Sequence, residues 1–126
     1  MSEKKYAVGI DIGGTSIKHG LCSDDGDFVG WDSVDTQADA PKEKILDSLA
    51  EILETNLRIA EQKNVKVSAA GIGTPGSVDI QRGFLMGATP NFVYWRDVPI
   101  SAYLEKKLNL PVFVDNDANL MAFGEY

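Results

Sequence analysis

Between Lys42 and Lys63 the apolar residues Ile45, Leu46, Leu49, Ile52, Leu53, Leu57 and Ala60 recur at steps of three and four. That period marks one face of an amphipathic α-helix, with Glu54 and Arg58 as a pair on its polar side and Asp39 with Pro41 as its start signal. The flanking stretches change period. Tyr6 to Ile12 is a short apolar run of β-forming residues stopped by Gly13-Gly14, and Ser16 to Ser23 follows it. Asp24-Asp25-Gly26 reads as a hairpin turn into Phe28 to Asp35, so three antiparallel strands precede the helix. After the helix, Val65 to Ile72 reads as a buried strand left through Gly73-Thr74-Pro75-Gly76. Ser77 to Pro99 carries Gly83, Gly87, Pro90 and Pro99, too much punctuation for a long regular element, and reads as a long functional loop with one short hairpin at most. Ser101 to Leu108 is a short helix with Tyr103, Leu104 and Leu108 inward, Val112 to Val114 a last short strand, and Ala118 onward is helical by propensity. The order is βββ-α-β-loop-α-β-α. With no repeat, low-complexity tract or linker, residues 1–126 read as a single domain.

Composition narrows the function classes. The chain has 126 residues, with 12 Lys+Arg against 19 Asp+Glu, a formal net charge of −7 and 44% hydrophobic residues. A chain of this length buries roughly two-thirds of its unfolded surface, enough for a core without disulfides or metal. Its basic residues are scattered in an acidic background, which excludes nucleic acid as an expected partner. Cys22 is the single cysteine and His19 the single histidine, so neither an internal disulfide nor a structural zinc site is expected, and a reducing, cytoplasmic setting fits. The apolar stretch before Asp11 is too short for a signal-peptide core, and no run of roughly 18 apolar residues exists to span a membrane. His19 and Cys22 read as packing or surface residues without an activating partner, and Trp31, Met86, Trp95 and Met121 as packing.

Three clusters carry candidate chemistry. In Asp11-Ile12-Gly13-Gly14-Thr15-Ser16-Ile17-Lys18, a glycine pair leaves backbone N–H groups open to a phosphate oxygen, Thr15 adds a hydroxyl, Asp11 could hold Mg²⁺ and Lys18 adds positive charge. The plain alternative is a hairpin turn with Asp11 as its cap. Gly71-Ile72-Gly73-Thr74-Pro75-Gly76 satisfies G-x-G-x-x-G after a strand, yet Pro75 and the lack of helical periodicity beyond Gly76 rule against a dinucleotide fingerprint and leave a substrate loop. In Asp115-Asn116-Asp117-Ala118-Asn119, a carboxylate can accept a proton from a substrate hydroxyl and an amide can hold hydroxyls, while spacing alone favours one of the polar residues as the cap of the following helix. Asn91 in the long loop is either a further polyol contact or a turn residue.

In this order, GIDIGGTSIK (Gly9 to Lys18), GIGTPGSVD (Gly71 to Asp79), NFVYW (Asn91 to Trp95) and LPVFVDNDANLMAFGE (Leu110 to Glu125) resemble the ROK family of repressors, open reading frames and kinases, especially its glucokinase-like sugar kinases. The resemblance covers nearly the whole chain from Tyr6. It implies an α/β, actin-like ATPase and ribonuclease-H-like fold, a mixed sheet of three antiparallel N-terminal strands with parallel additions, two such domains closing around a cleft. By that resemblance Asp11, Gly13, Gly14, Thr15 and Lys18 belong to the site for ATP phosphates and Mg²⁺, with Asp11 at the metal. Gly76, Asn91, Asn116 and Asp117 belong to the hexose site, with Asp117 as catalytic base. Such a division of work suits phosphoryl transfer, which needs positioning and charge neutralisation above all.

The family's second domain, with its adenosine contacts, Glu…Gly-His motif and common Cys-rich zinc cluster, has no counterpart before Tyr126, where an apolar helix runs out without a stop signal. The chain therefore reads as the N-terminal domain of an ATP-dependent hexose kinase, glucokinase foremost, and a non-catalytic sugar-sensing or actin-like ATPase module is the alternative. Only ten residues precede Asp11, too few for the helix-turn-helix of the family's repressors. The last helix is apolar on all sides, which predicts a weak homodimer of the isolated chain.

Overall fold

The computed structural model describes residues 5–25, 28–87, 92 and 94–116, with the main-chain course alone for 28–30. Strands β1 (Tyr6–Ile12), β2 (Ser16–Ser23) and β3 (Phe28–Asp35) form an antiparallel meander with the bounds their patterning predicts. Helix α1 (Lys42–Gln62) then crosses one face of the sheet and delivers β4 (Val67–Gly73) parallel to β1. The punctuated stretch contains a small separate hairpin, β5 (Ser77–Asp79) with β6 (Phe84–Gly87). Helix α2 (Ile100–Leu108) returns the chain to β7 (Val112–Asp115), parallel to β4. The main sheet is mixed, in the order β3-β2-β1-β4-β7. The helix expected from Ala118 lies outside the described residues, as does the Gly26 end of the β2–β3 turn.

The apolar stripe of α1 makes the core. Its Ile45, Leu46, Leu49, Ile52 and Leu53 pack on Val8, Ile10, Ile12, Ile17, Leu21 and Ile72 of the sheet; each such side chain, fully buried, is worth about 2 kcal/mol. Asn56 sits among them, buried, and donates from Nδ2 to Ile52 O at 2.8 Å and to His19 Nδ1 at 3.0 Å. The helix stops by a Schellman arrangement: Asn64 is left-handed (φ 57), its N–H reaches Glu61 O at 3.1 Å, and the Val65 N–H reaches Ala60 O at 2.9 Å. That stop occupies Val65 and Lys66, which is why β4 starts at Val67 rather than at the expected Val65.

Helix α2 covers the outer edge of β7. Ser101 Oγ donates to Val112 O at 2.6 Å and Glu105 Oε2 accepts from Val112 N at 2.9 Å, so an edge residue that could template further pairing is satisfied from its own chain. Leu104 is buried as expected, while Tyr103 and Leu108 are half-buried.

Several local expectations are corrected. Trp31 is 45% and Met86 47% exposed, so neither is a packing residue, whereas Trp95 is fully buried. Arg58 turns to Thr55 Oγ1 at 3.3 Å rather than to Glu54. Asp39 does not cap α1: Pro41 is the N-cap, no side chain caps the helix, and a main-chain turn from Ala40 N to Gln37 O (2.9 Å) leads into it. Among the described residues no helix is long and apolar enough to cross a membrane.

Candidate active site at the carboxyl ends of the parallel strands

Register brings the first and third sequence clusters together. Asp11 pairs with Gly73 across β1 and β4, Gly73 pairs with Asp115 across β4 and β7, and on the other side Asp11 pairs with Lys18. Paired residues project to one face, and because Ile10 and Ile12 point into the α1 core, this row points to the face opposite α1. Two strand spacings separate Asp11 from Asp115, roughly 10 Å between Cα atoms. Gly73 stands between them without a side chain and is itself buried, so the row sets two carboxylates on either side of a glycine at the strand ends. Asp11 and Lys18 are exposed and Asp115 is half-buried. Among the described residues no three His, Cys, Asp or Glu side chains gather closely enough to hold a metal unaided.

The β1–β2 connection beside this row is a tight turn, closed by Gly13 N donating to Ser16 O at 2.9 Å. A Cβ on Gly13 would lie 2.9 Å from that carbonyl oxygen, so the turn needs glycine there. The hairpin reading of Gly13-Gly14 is therefore correct as geometry, and a turn with open amides is what an anion site also requires. Thr36, buried at 3% exposure, grips the turn from outside: its Oγ1 donates to Gly13 O at 2.8 Å and its N–H to Thr15 O at 3.1 Å.

The Gly-rich loop after β4 is held as firmly. Thr74, 2% exposed, donates from its N–H to Asp115 O at 3.0 Å, and its Oγ1 accepts from Trp95 Nε1 at 2.9 Å while donating to Pro75 O at 3.1 Å. Asn116 Nδ2 donates to Thr74 O at 2.6 Å and Gly76 O at 3.1 Å. Gly76 itself is at φ 103, where a Cβ would stand 2.2 Å from Gly87 O. Beyond it the chain enters β5, not a helix, in keeping with the exclusion of a dinucleotide fingerprint. Asp115 Oδ1 accepts from Asn116 N at 2.6 Å. Asn116 is thus a clamp between two loops, a task neither the hydroxyl-holding nor the capping reading foresaw.

Of the residues expected at the site, Asp11, Gly13, Gly14, Thr15, Lys18, Gly76 and Asn116 line these strand ends and loops. Asn91 and Asp117 lie outside the described residues. Sequence reasoning missed Thr36 and Thr74 altogether and gave Trp95 only a packing role. Their contacts cross 21 to 23 positions along the chain, and no local spacing signals them. Cys22 is no nucleophile: burial pushes its thiol up to about 11, against a weaker opposite pull from a backbone hydrogen bond at Gly9. A concavity of about 810 Å³ at the opposite end of the sheet, walled by Tyr6, Leu57, Glu61 and Lys66, contains none of the motif residues.

A three-stranded meander extended by parallel strands through helical crossovers, with its open loops at the parallel strand ends, defines the actin-like ATPase class of α/β fold. The ROK family model matches residues 7–126, and the chain belongs to the ROK family. It is 36% identical over 122 residues to a glucokinase of Thermotoga maritima, covering 97% of this chain and 37% of that one. It is 33% identical over 118 residues to a xylose repressor of Caldicellulosiruptor bescii, covering 94% and 29% respectively. The crystal structure of a ROK family glucokinase from Streptomyces griseus in complex with glucose and AMPPNP superposes with a TM-score of 0.75 at 36% identity, over 96% of this chain and 36% of that one. The chain thus spans about a third of the length of these relatives.

Proposed function

We propose that the chain is the N-terminal domain of an ATP-dependent hexose kinase that transfers the γ-phosphoryl group of ATP to a sugar hydroxyl, with glucose as the first substrate to test. The observation that carries this reading is the row Lys18–Asp11–Gly73–Asp115, which brings two carboxylates and a lysine to one end of the sheet beside a glycine turn. The similarity to glucokinases, one of them bound to glucose and AMPPNP, supports it.

In this reading Gly13, Gly14, Thr15 and Lys18 receive the ATP phosphates. The carboxylate oxygens at these strand ends suit Mg²⁺, which binds through one or two carboxylates together with substrate phosphates. Asp11 is the ligand, and Mg²⁺ when bound supplies neutralisation of the phosphate charge. Gly76, Asn91 and Asn116 hold the sugar. Asn116 Nδ2 is committed to two carbonyls, so Oδ1 remains as its substrate-facing atom and accepts from a sugar hydroxyl. Asp117, one residue on, is the catalytic base whose carboxylate takes the proton of the attacking hydroxyl. Adenosine contacts and the rest of the sugar cleft belong to a second domain, so residues 1–126 alone turn over negligibly, since an open site cannot exclude water.

A coupled assay for ADP, run on this segment joined to the second domain of its parent protein, tests the proposal. Glucose-dependent ADP release is expected, and Asp117→Asn should lower kcat by about 10² to 10⁴ with sugar affinity little changed. Turnover close to wild type in that variant would reduce Asp117 to a helix cap. The similarity to a xylose repressor favours one second reading, a sugar-responsive module without transfer chemistry. Sugar binding with no ADP formed in the two-domain protein would decide for it.

A further inference from the structure

Thr36 is a buried polar residue just beyond β3 with no part in the sheet core, and both of its donors are spent on the β1–β2 turn. Its hydroxyl takes the carbonyl oxygen of Gly13 at 2.8 Å and its N–H takes that of Thr15 at 3.1 Å. A trans peptide is planar, with C=O and the next N–H pointing opposite ways. Drawing Gly13 O towards Thr36 therefore turns the Gly14 N–H away from Thr36. Gly14 is exposed, so a ligand in solvent can reach this peptide. A two-glycine turn left to itself can flip this peptide at little cost, because glycine tolerates either hand of backbone. Something has to choose the orientation, and the hydroxyl of Thr36 is the group in contact with it.

We propose that Thr36 is a positioning residue for phosphoryl-group binding, which orients the Gly13–Gly14 peptide so that its N–H meets an anionic oxygen. This rests on the reading of the β1–β2 turn as a phosphate site, given above. Thr36 touches no phosphate: it acts through Gly13. Its neighbour Gln37 is left-handed at φ 54 and accepts the Ala40 N–H at 2.9 Å, so the clasp is anchored in a turn that leads directly into α1.

The test is titration of the 126-residue chain with inorganic tripolyphosphate plus Mg²⁺, followed by ¹⁵N–¹H spectra that resolve the Gly14 amide. The wild-type chain should show a saturable downfield shift of that amide. Thr36→Val keeps the shape and removes the hydroxyl, and should weaken apparent affinity about five- to tenfold, the usual worth of one neutral hydrogen bond, with a smaller Gly14 shift at saturation. Thr36→Ser restores the donor and should restore both. Should the valine variant fail to fold, Thr36→Ala replaces it, with folding checked by circular dichroism. No Gly14 response in the wild-type chain would sink the phosphate reading itself. A wild-type response retained in full by folded Thr36→Val or Thr36→Ala, or a loss that serine does not rescue, would overturn the role of Thr36 and leave the phosphate reading standing.

Discussion

Asn116 illustrates how a single side chain can be both structural and chemical. Its amide nitrogen bridges the carbonyls of Thr74 and Gly76, and an aspartate at that position would set a carboxylate oxygen against both. Asn116→Asp should therefore destabilise the chain by about 1–3 kcal/mol at neutral pH, the cost of unpaired polar groups plus repulsion. Below roughly pH 4 the introduced carboxyl takes up a proton and can donate to one carbonyl, so the deficit should shrink there. Denaturant melts of both proteins at pH 7 and pH 3.5 would check this, and an equal deficit at both pH values would contradict the clamp. The residue types of this site were visible in the sequence, but carboxylates, amides and glycines next to strand ends serve as well in caps and turns, and the resemblance to a family assigned them to a site. Their partners were not visible in it. Thr36 finds Gly13 only through the register of β2 on β3, and Trp95 finds Thr74 only through the course of an irregular loop.

At the scale of elements, the strands of the meander and both helices follow from local pattern, since period-two and period-3.6 apolar runs survive into the fold with bounds shifted by two residues at most. The stretch from Ser77 to Gly87 was harder to read. Its strands have three and four residues, too few to display a period, and long-range contacts fix them. The hairpin docks by two glycines. Gly83, at φ 61, lies where a Cβ would overlap Ser101 Oγ of α2 at 1.8 Å, and Gly76 lies against Gly87 O across the two strands. Gly76→Ala combines a left-handed backbone with a contact no side chain can relieve, and should cost at least about 2 kcal/mol. That corresponds to a fall in melting midpoint of roughly 8 °C for a chain of this size. Calorimetry would measure it, and an unchanged midpoint would mean that the hairpin and its loop are free to relax away from β4. The same substitution would move Gly76 O from Asn116, so stability and sugar binding are expected to fall together.

For the whole molecule, the order β3-β2-β1-β4-β7 sets β1, β4 and β7 parallel and adjacent, so that three clusters far apart in sequence finish at one end of one sheet. Neither composition nor periodicity dictates which edge of the meander receives β4, and the resemblance implied only that parallel strands are added to it; the structure places β4 beside β1. Helix α1 and helix α2 both lie on one side, linked by the Tyr103 hydroxyl donating to Asp47 Oδ1 at 2.8 Å, opposite the face to which the row Asp11–Gly73–Asp115 points. The concavity of about 810 Å³ at Tyr6 and Lys66, at the other end of the sheet, contains none of these motif residues.

The most direct test of the central claim is an amide-resolved titration, with glucose and, separately, with AMPPNP and Mg²⁺, of this segment joined to the second domain of its parent protein. Glucose should move the amides of Thr74, Gly76 and Asn116, and the nucleotide those of Asp11, Gly14 and Thr15, with Tyr6, Glu61 and Lys66 unaffected by either. Shifts confined to Tyr6, Glu61 and Lys66, or saturating ligand with no response at the carboxyl ends of β1, β4 and β7, would contradict it.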